Sequence, residues 1–183
     1  MSNNKQLEII SLQLPGPKRI RPCIFNDERG FFLECYRQPA YQELGIEERF
    51  VQVNHSFSKK GTIRGMHFQN FPGQAKLITV ITGRIFDVVV DIRKSLPTFG
   101  KWEGVYLDGD THEQLFIPVG FAHGFCVVSE EAHVLYKVST IYDPKEEKTF
   151  LYNDPSVGIK WPVGAPLLSE RDRQAPSFNE ALR

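Results

Sequence analysis

Between residues 84 and 93 the chain reads RIFDVVVDIR, in which Phe86, Val88, Val90 and Ile92 alternate with Asp87, Val89, Asp91 and Arg93. One side of that alternation is wholly apolar and the other mostly polar, the two-residue period of a strand with one buried face. LFIPVGFAHGFCVV (115–128) and AHVLYKVSTIY (132–142) read as two further strands, short and rich in β-branched and aromatic residues. In the first, His123 shares parity with Phe121, Phe125 and Val127. In the second, Tyr136 shares parity with Val134 and Val138, so both polar side chains point inward. Turn formers interrupt the chain throughout, among them Pro15-Gly16-Pro17, Gly30, Gly61, Pro72-Gly73, Gly83, Gly100, Gly109, Pro118 and Gly120. This rhythm predicts an all-β sandwich or barrel. Helical signals are few: one short surface helix within 37–48, and a helical turn in the tail, where Ser169 is a plausible N-cap.

Composition narrows the class. At 183 residues the chain fits a single domain, and 41% hydrophobic with 24% charged residues is an ordinary globular balance. Lys plus Arg equals Asp plus Glu at 22 each, so no net field recruits nucleic acid or a membrane surface, and any anion must be met by a few placed cations. The three cysteines, Cys23, Cys35 and Cys126, are odd in number and widely spaced. They read as buried free thiols in a reducing compartment. With neither a signal-like start nor an apolar run long enough for a membrane span, the expected location is the cytoplasm.

The stretch GTIRGMHFQNFPGQAKL (61–77) poses the chemical question. His67 there can be a metal ligand, a catalytic base or a structural histidine. The Pro-x-Gly-x-x-His pattern at 118–123, with an upstream strand bearing His67, resembles the two-motif layout of cupins, the double-stranded β-helix (jelly-roll) proteins. Metal-binding cupins carry His-x-His followed by a carboxylate; here the segment is His67-Phe68-Gln69, and the next charged residue is Lys76. An amide is a poor substitute for imidazole and an ammonium repels a cation, so no metal is expected. A buried histidine and lysine suggest proton chemistry beside a carbonyl instead. The histidine acts as general base and the lysine stabilises a developing enolate oxygen. Taken singly, each of these residues is more often a satisfied structural side chain; their combination points to catalysis.

Several segments then align with one family. They are DERGFFLE (27–34), QVNHSFS (52–58), TIRGMHFQ (62–69), QAKLITVITGRIFDVVVDIRKSLPTFGKW (74–102), QLFIPVGFAHGF (114–125), LYKVSTIY (135–142), NDPSVGIKWP (153–162) and LSERDRQAP (168–176). Together they resemble the cupin-type dTDP-4-dehydrorhamnose 3,5-epimerases over nearly the whole chain. The resemblance implies a metal-free, cofactor-free epimerase acting on a dTDP-4-keto-6-deoxy sugar, with one domain spanning 1–183. Residues 1–60 would supply N-terminal strands exchanged in a homodimer, 61–150 the jelly-roll core and 151–183 a C-terminal segment, with short flanking helices.

By position in the family motifs, His67 corresponds to the base, Asp172 to its partner carboxylate, Tyr136 to the proton donor and Lys76 to the residue near the C4 oxygen. Substrate contacts would come from Arg29, Glu34, Gln52, Asn54, Arg64, Lys76, His123, Glu147 and Arg171, and Phe25, Phe31 and Tyr142 are candidates for stacking. The interval from His67 to Lys76 is one residue shorter than in some relatives. Arg64 and His67 lie an odd number of residues apart, so a regular strand would turn them to opposite faces. Placing both in one site requires a bulge or bend at Gly65, or Arg64 reaching in from the strand's end. Three alternatives remain at this stage: a mono-epimerase inverting only C3 or C5, a non-catalytic nucleotide-sugar-binding cupin, and a metal-dependent cupin, which Gln69 and Lys76 disfavour.

Overall fold

Strand Arg84–Asp91 is buried along nearly its whole length, Asp87 and Asp91 included, although its alternation suggests a single buried face. The cause is a cover on each side. Phe86, Val88 and Val90 pack outward against Phe150, Val157, Ile159 and Phe178 of the C-terminal segment. Ile85 and Val89 pack inward with residues of a second sheet. A strand covered on both faces can keep carboxylates only by pairing them. Asp91 is held by Arg93 and Thr98, and Asp87 by His123.

A computed structural model describes residues 7–183. The elements run β1 (Glu8–Ile10), β2 (Lys18–Arg21), β3 (Ile24–Asp27), β4 (Gly30–Leu33), α1 (Gln38–Glu43), β5 (Gln52–Lys59), β6 (Ile63–Gln69), β7 (Lys76–Thr82) and β8 (Arg84–Asp91). Then follow β9 (Trp102–Asp108), β10 (Gln114–Ile117), β11 (Phe121–Val127), β12 (Glu131–Val138), β13 (Glu147–Thr149), α2 (Glu170–Arg173) and α3 (Phe178–Ala181). A six-stranded sheet has the order β1-β2-β10-β7-β12-β5 and a five-stranded sheet the order β13-β6-β11-β8-β9. The strand pairs are antiparallel, and the two sheets face each other as a jelly roll, the predicted fold. Their shared core takes Ile78, Val80, Leu115 and Val134 from one sheet and Ile85, Val89, Phe121 and Phe125 from the other. Strand β5 pairs with β12 along its whole length, so the roll draws on residues before 61 as well as after.

The stretch 115–128 is divided between β10 and β11 by a turn at Pro118–Gly120. Helix α1 falls within the expected 37–48, but its Tyr41 is buried and joins Ile20, Leu77 and Phe116 on the outer side of the six-stranded sheet. Ser169 caps α2 as the sequence suggests, its hydroxyl accepting the Asp172 N–H at 3.1 Å. Helix α3 was not expected, although Ser177 and Glu180 form a capping box.

The bend required at Gly65 is present. The pairing of β6 with β11 places His67 opposite His123 but Arg64 opposite Phe125, with a register shift between them. Gly65 has φ +136°, and a Cβ there would stand 2.6 Å from the Gly124 Cα. Only glycine meets both conditions.

Candidate active site

The bulge brings Arg64 and His67 to one cavity of about 350 Å³ near one end of the roll. From the six-stranded sheet and the segment leading into β7 come Gln52, Asn54, Lys76 and Tyr136; from the five-stranded sheet come Arg64, His67, His123 and Glu147. Histidine and tyrosine therefore stand on opposing layers, with the space for a ligand between them. All eight are among the side chains the sequence singles out.

Asp172 reaches the site from behind. Leu167 is fixed to the start of β6 by the bonds Ile63 N–H to Leu167 O and Leu167 N–H to Gly61 O, and the single turn of α2 then delivers the carboxylate. His67 Nε2 and Asp172 Oδ1 lie 2.6 Å apart. Burial on its own would push Asp172 up, yet the His67 bond and charge, Ser169 and the Gly65 N–H hold it below the usual carboxylate range. A carboxylate on Nε2 leaves Nδ1 as the basic atom of the neutral ring.

A second imidazole–carboxylate pair lies opposite the first. His123 Nε2 sits 2.9 Å and 3.0 Å from the two oxygens of Asp87. Burial pulls His123 below its ordinary value and the Asp87 charge opposes that, while the neighbouring Lys76 and His67 lower it further. Lys76 is brought down by burial to about 8, with Glu147 and Asp87 pulling the other way. Tyr136 is pushed up by burial; Arg64 and a hydrogen bond from Asn54 favour its phenolate and moderate the rise. The cavity thus offers an imidazole, a phenol and an ammonium whose proton is more easily lost than in water.

Arg64 is steadied by Ser58 Oγ at 2.9 Å and the Phe57 carbonyl at 3.2 Å. Glu147 accepts hydrogen bonds from Tyr142 Oη at 2.9 Å and from Arg171, so Arg171 closes one side of the mouth and Tyr142 lines it. Two candidates are elsewhere in this chain. Arg29 sits at the tip of the β3–β4 hairpin, 85% exposed and paired with Asp27, and Glu34 pairs with Arg37 on the surface. Phe25 and Phe31 are likewise exposed on that hairpin. The hairpin pairs only with itself, which is why a motif position near the site does not translate into a place in this cavity.

Sequence reasoning missed Ser56, Gln74, Phe125 and Val134 on the cavity wall, and Asp87 beneath His123. Asp87 lies in the apolar run of β8, where its charge was itself the available signal. Among the described residues no group of three or more His, Cys, Asp or Glu could hold a metal ion.

A family model described as dTDP-4-dehydrorhamnose 3,5-epimerase matches residues 11–180. The chain is 47% identical over 177 residues to the dTDP-4-dehydrorhamnose 3,5-epimerase of Shigella flexneri, covering 96% of this chain and 98% of that protein. It is similar to the solved dTDP-6-deoxy-D-glucose-3,5-epimerase of Legionella pneumophila in complex with dTDP-4-keto-L-rhamnose (TM-score 0.92, 46% identity, 95% and 94% of the two chains). A similar match is the dTDP-4-dehydrorhamnose 3,5-epimerase of Bacillus anthracis with TDP and PPi bound (TM-score 0.92, 44% identity, 94% and 99% covered).

Proposed function

The chain belongs to the dTDP-4-dehydrorhamnose 3,5-epimerase family, and we propose that in it His67 is the base, Tyr136 the acid and Lys76 the partner of the oxygen that gathers charge. The protein is an isomerase that inverts C3 and C5 of dTDP-4-dehydro-6-deoxy-D-glucose to give dTDP-4-dehydro-L-rhamnose, in dTDP-L-rhamnose biosynthesis. The C4 ketone acidifies the hydrogens on both neighbouring carbons and is itself the electron sink, so the reaction calls for no cofactor.

His67 Nδ1 takes a proton from C3 or C5. Asp172 fixes the tautomer and stabilises the imidazolium that forms. The electron pair moves onto the C4 oxygen, where the Lys76 ammonium meets it in a cavity of low dielectric. Tyr136 then protonates the same carbon from the other face, and Arg64 and Asn54 stabilise the phenolate left behind. Each inversion leaves His67 one proton richer and Tyr136 one poorer, so both must exchange with solvent before the second carbon reacts.

The observation that supports this reading is that His67, backed by Asp172, lines one cavity with Tyr136 on the opposing sheet. The test is incubation with dTDP-4-keto-6-deoxyglucose in deuterium oxide, followed by NMR of the product. Deuterium at both carbons with inversion is expected; label at one carbon only would identify a mono-epimerase. The His67→Asn variant should fold and be inactive, and undiminished turnover in it would remove the base from the scheme.

The substrate's diphosphate is assigned to Arg64 and Arg171, and Gln52, Asn54, His123 and Glu147 to other polar groups of the nucleotide sugar. The assembly is proposed to be a homodimer; β1, β2 and β5 pair within this chain's own sheet, so the N-terminal element left to exchange is the β3–β4 hairpin. Support comes from the β3–β4 hairpin, which exposes Phe25, Phe31 and Phe32 beside Arg29. A second copy covering that hairpin would receive Arg29 at its cavity, with Glu34 close behind. A cytoplasmic location is supported by three free cysteines, although of the three expected to be buried only Cys126 is, Cys23 being half-buried and Cys35 exposed.

A further inference from the structure

The three amide side chains on the cavity wall do not present the same end to it. Gln52 Nε2 donates to Asn54 Oδ1 at 2.7 Å, and Gln52 Oε1 accepts the Tyr142 N–H at 3.1 Å. Both carbonyl oxygens of that pair are engaged within the protein, so what it offers a ligand is N–H. Gln74 is arranged the other way round. Its Nε2 donates to the Thr140 carbonyl at 2.9 Å and to Gln69 Oε1 at 3.2 Å. A backbone carbonyl only accepts, which fixes the nitrogen end of the Gln74 amide.

The remaining links run in the same sense. Gln69 Nε2 donates to Thr140 Oγ1 at 3.3 Å, and that hydroxyl donates to the Gly73 carbonyl at 3.0 Å. Both N–H hydrogens of Gln74 are therefore used. Among the described residues no donor reaches Gln74 Oε1, and the atom is not one of the buried unpaired ones. It opens to the cavity that Gln74 lines.

Other acceptors line the wall: Glu147 takes both its hydrogen bonds on Oε2 and keeps Oε1, His123 is held to Asp87 through Nε2 and keeps Nδ1, and Ser56 Oγ has no partner. What sets Gln74 Oε1 apart is its place in the chain beside Lys76. A 4-keto-6-deoxyhexose keeps hydroxyl groups at C2 and C3, and each needs an acceptor once desolvated. Gln74 and Lys76 lie two residues apart on one side of the extended chain. On the sugar, the oxygen adjacent to the C4 oxygen that Lys76 is assigned is the C3 hydroxyl.

We propose that Gln74 Oε1 accepts the hydrogen of the sugar's C3 hydroxyl, which makes Gln74 a specificity-determining residue of the site. This rests on Lys76 addressing the C4 oxygen. A site built to bond a hydroxyl discriminates against the analogue that lacks it, because its own polar atom is then left unpaired.

The test compares the 4-keto substrate with its 3-deoxy counterpart, reading deuterium exchange at C5, which does not need the C3 hydroxyl. In the unmodified protein, loss of that hydroxyl should lower kcat/KM for C5 exchange about five- to tenfold. In Gln74→Leu the two substrates should differ by less than about twofold. Equal losses with both substrates in Gln74→Leu would mean that the side chain only braces the Thr140 segment, and would overturn the proposal, as would equal kcat/KM for the two substrates in the unmodified protein. Absence of C5 exchange in the unmodified protein with the 4-keto substrate would instead sink the base and acid assignments, and this proposal with them.

Discussion

The role proposed for Lys76 predicts an upper pH limit on turnover, and replacing the residue with arginine should remove that limit. Burial brings Lys76 from the ordinary 10.5 to about 8 even with Glu147 and Asp87 opposing the change, a disadvantage of roughly 3 kcal/mol for the charged form. Under the proposed assignment the protonated form is the active one, because it is the ammonium that would meet the enolate oxygen. Activity should therefore be complete at neutral pH and fall as pH rises through about 8, close to tenfold per unit beyond it. Tyr136 does not produce this limb, since burial pushes its phenol up and keeps it protonated over the same range. The assay is the initial rate of solvent deuterium incorporation at C3 and C5, taken as kcat/KM from pH 6 to pH 10. In Lys76→Arg the guanidinium stays charged throughout. Absolute rates should drop because the planar fork does not reproduce the ammonium's placement, but the alkaline limb should vanish. A limb at the same pH in Lys76→Arg, or a flat profile to pH 9 in the unmodified protein, would refute the assignment.

Three further outcomes are expected. Asp172→Asn should lower kcat on the order of 10²- to 10⁴-fold with little change in KM, because the ring loses its fixed tautomer and its counter-charge; steady-state kinetics will show the split. Tyr136→Phe should keep deuterium exchange at the abstracted positions while net inversion collapses, a separation visible by NMR of recovered substrate. Gly65→Ala should destabilise the fold by about 3 kcal/mol or more in urea unfolding, since a Cβ would sit 2.6 Å from the Gly124 Cα at a φ of +136°.

Much of the site was legible from parity and motif. The inward sides of 121–127 and 134–138 follow from alternation alone, and the odd spacing of Arg64 and His67 correctly demanded a kink at Gly65. What alternation could not supply was cover. It treats a strand as having one wet face, and so misjudged Arg84–Asp91, whose polar side is enclosed by a second layer from distant parts of the chain. Asp87 was overlooked for that reason. Gln74 was overlooked for another: its role depends on which end of an amide is spent on Thr140, and only coordinates carry that. Arg29 and Glu34 show the opposite limit, since matching a motif fixes a residue's place along the chain but not whether it reaches this cavity.

The proposed base and acid are mounted on separate sheets, His67 on the five-stranded layer and Tyr136 on the six-stranded one. Their separation is thus a tertiary dimension, governed by how tightly Ile78, Val80 and Val134 nest against Ile85, Val89 and Phe125. Repacking those aliphatic contacts, with no change to any group that meets the sugar, should widen or narrow the gap in which the ring turns over. Such repacking would alter how evenly the two stereocentres are handled.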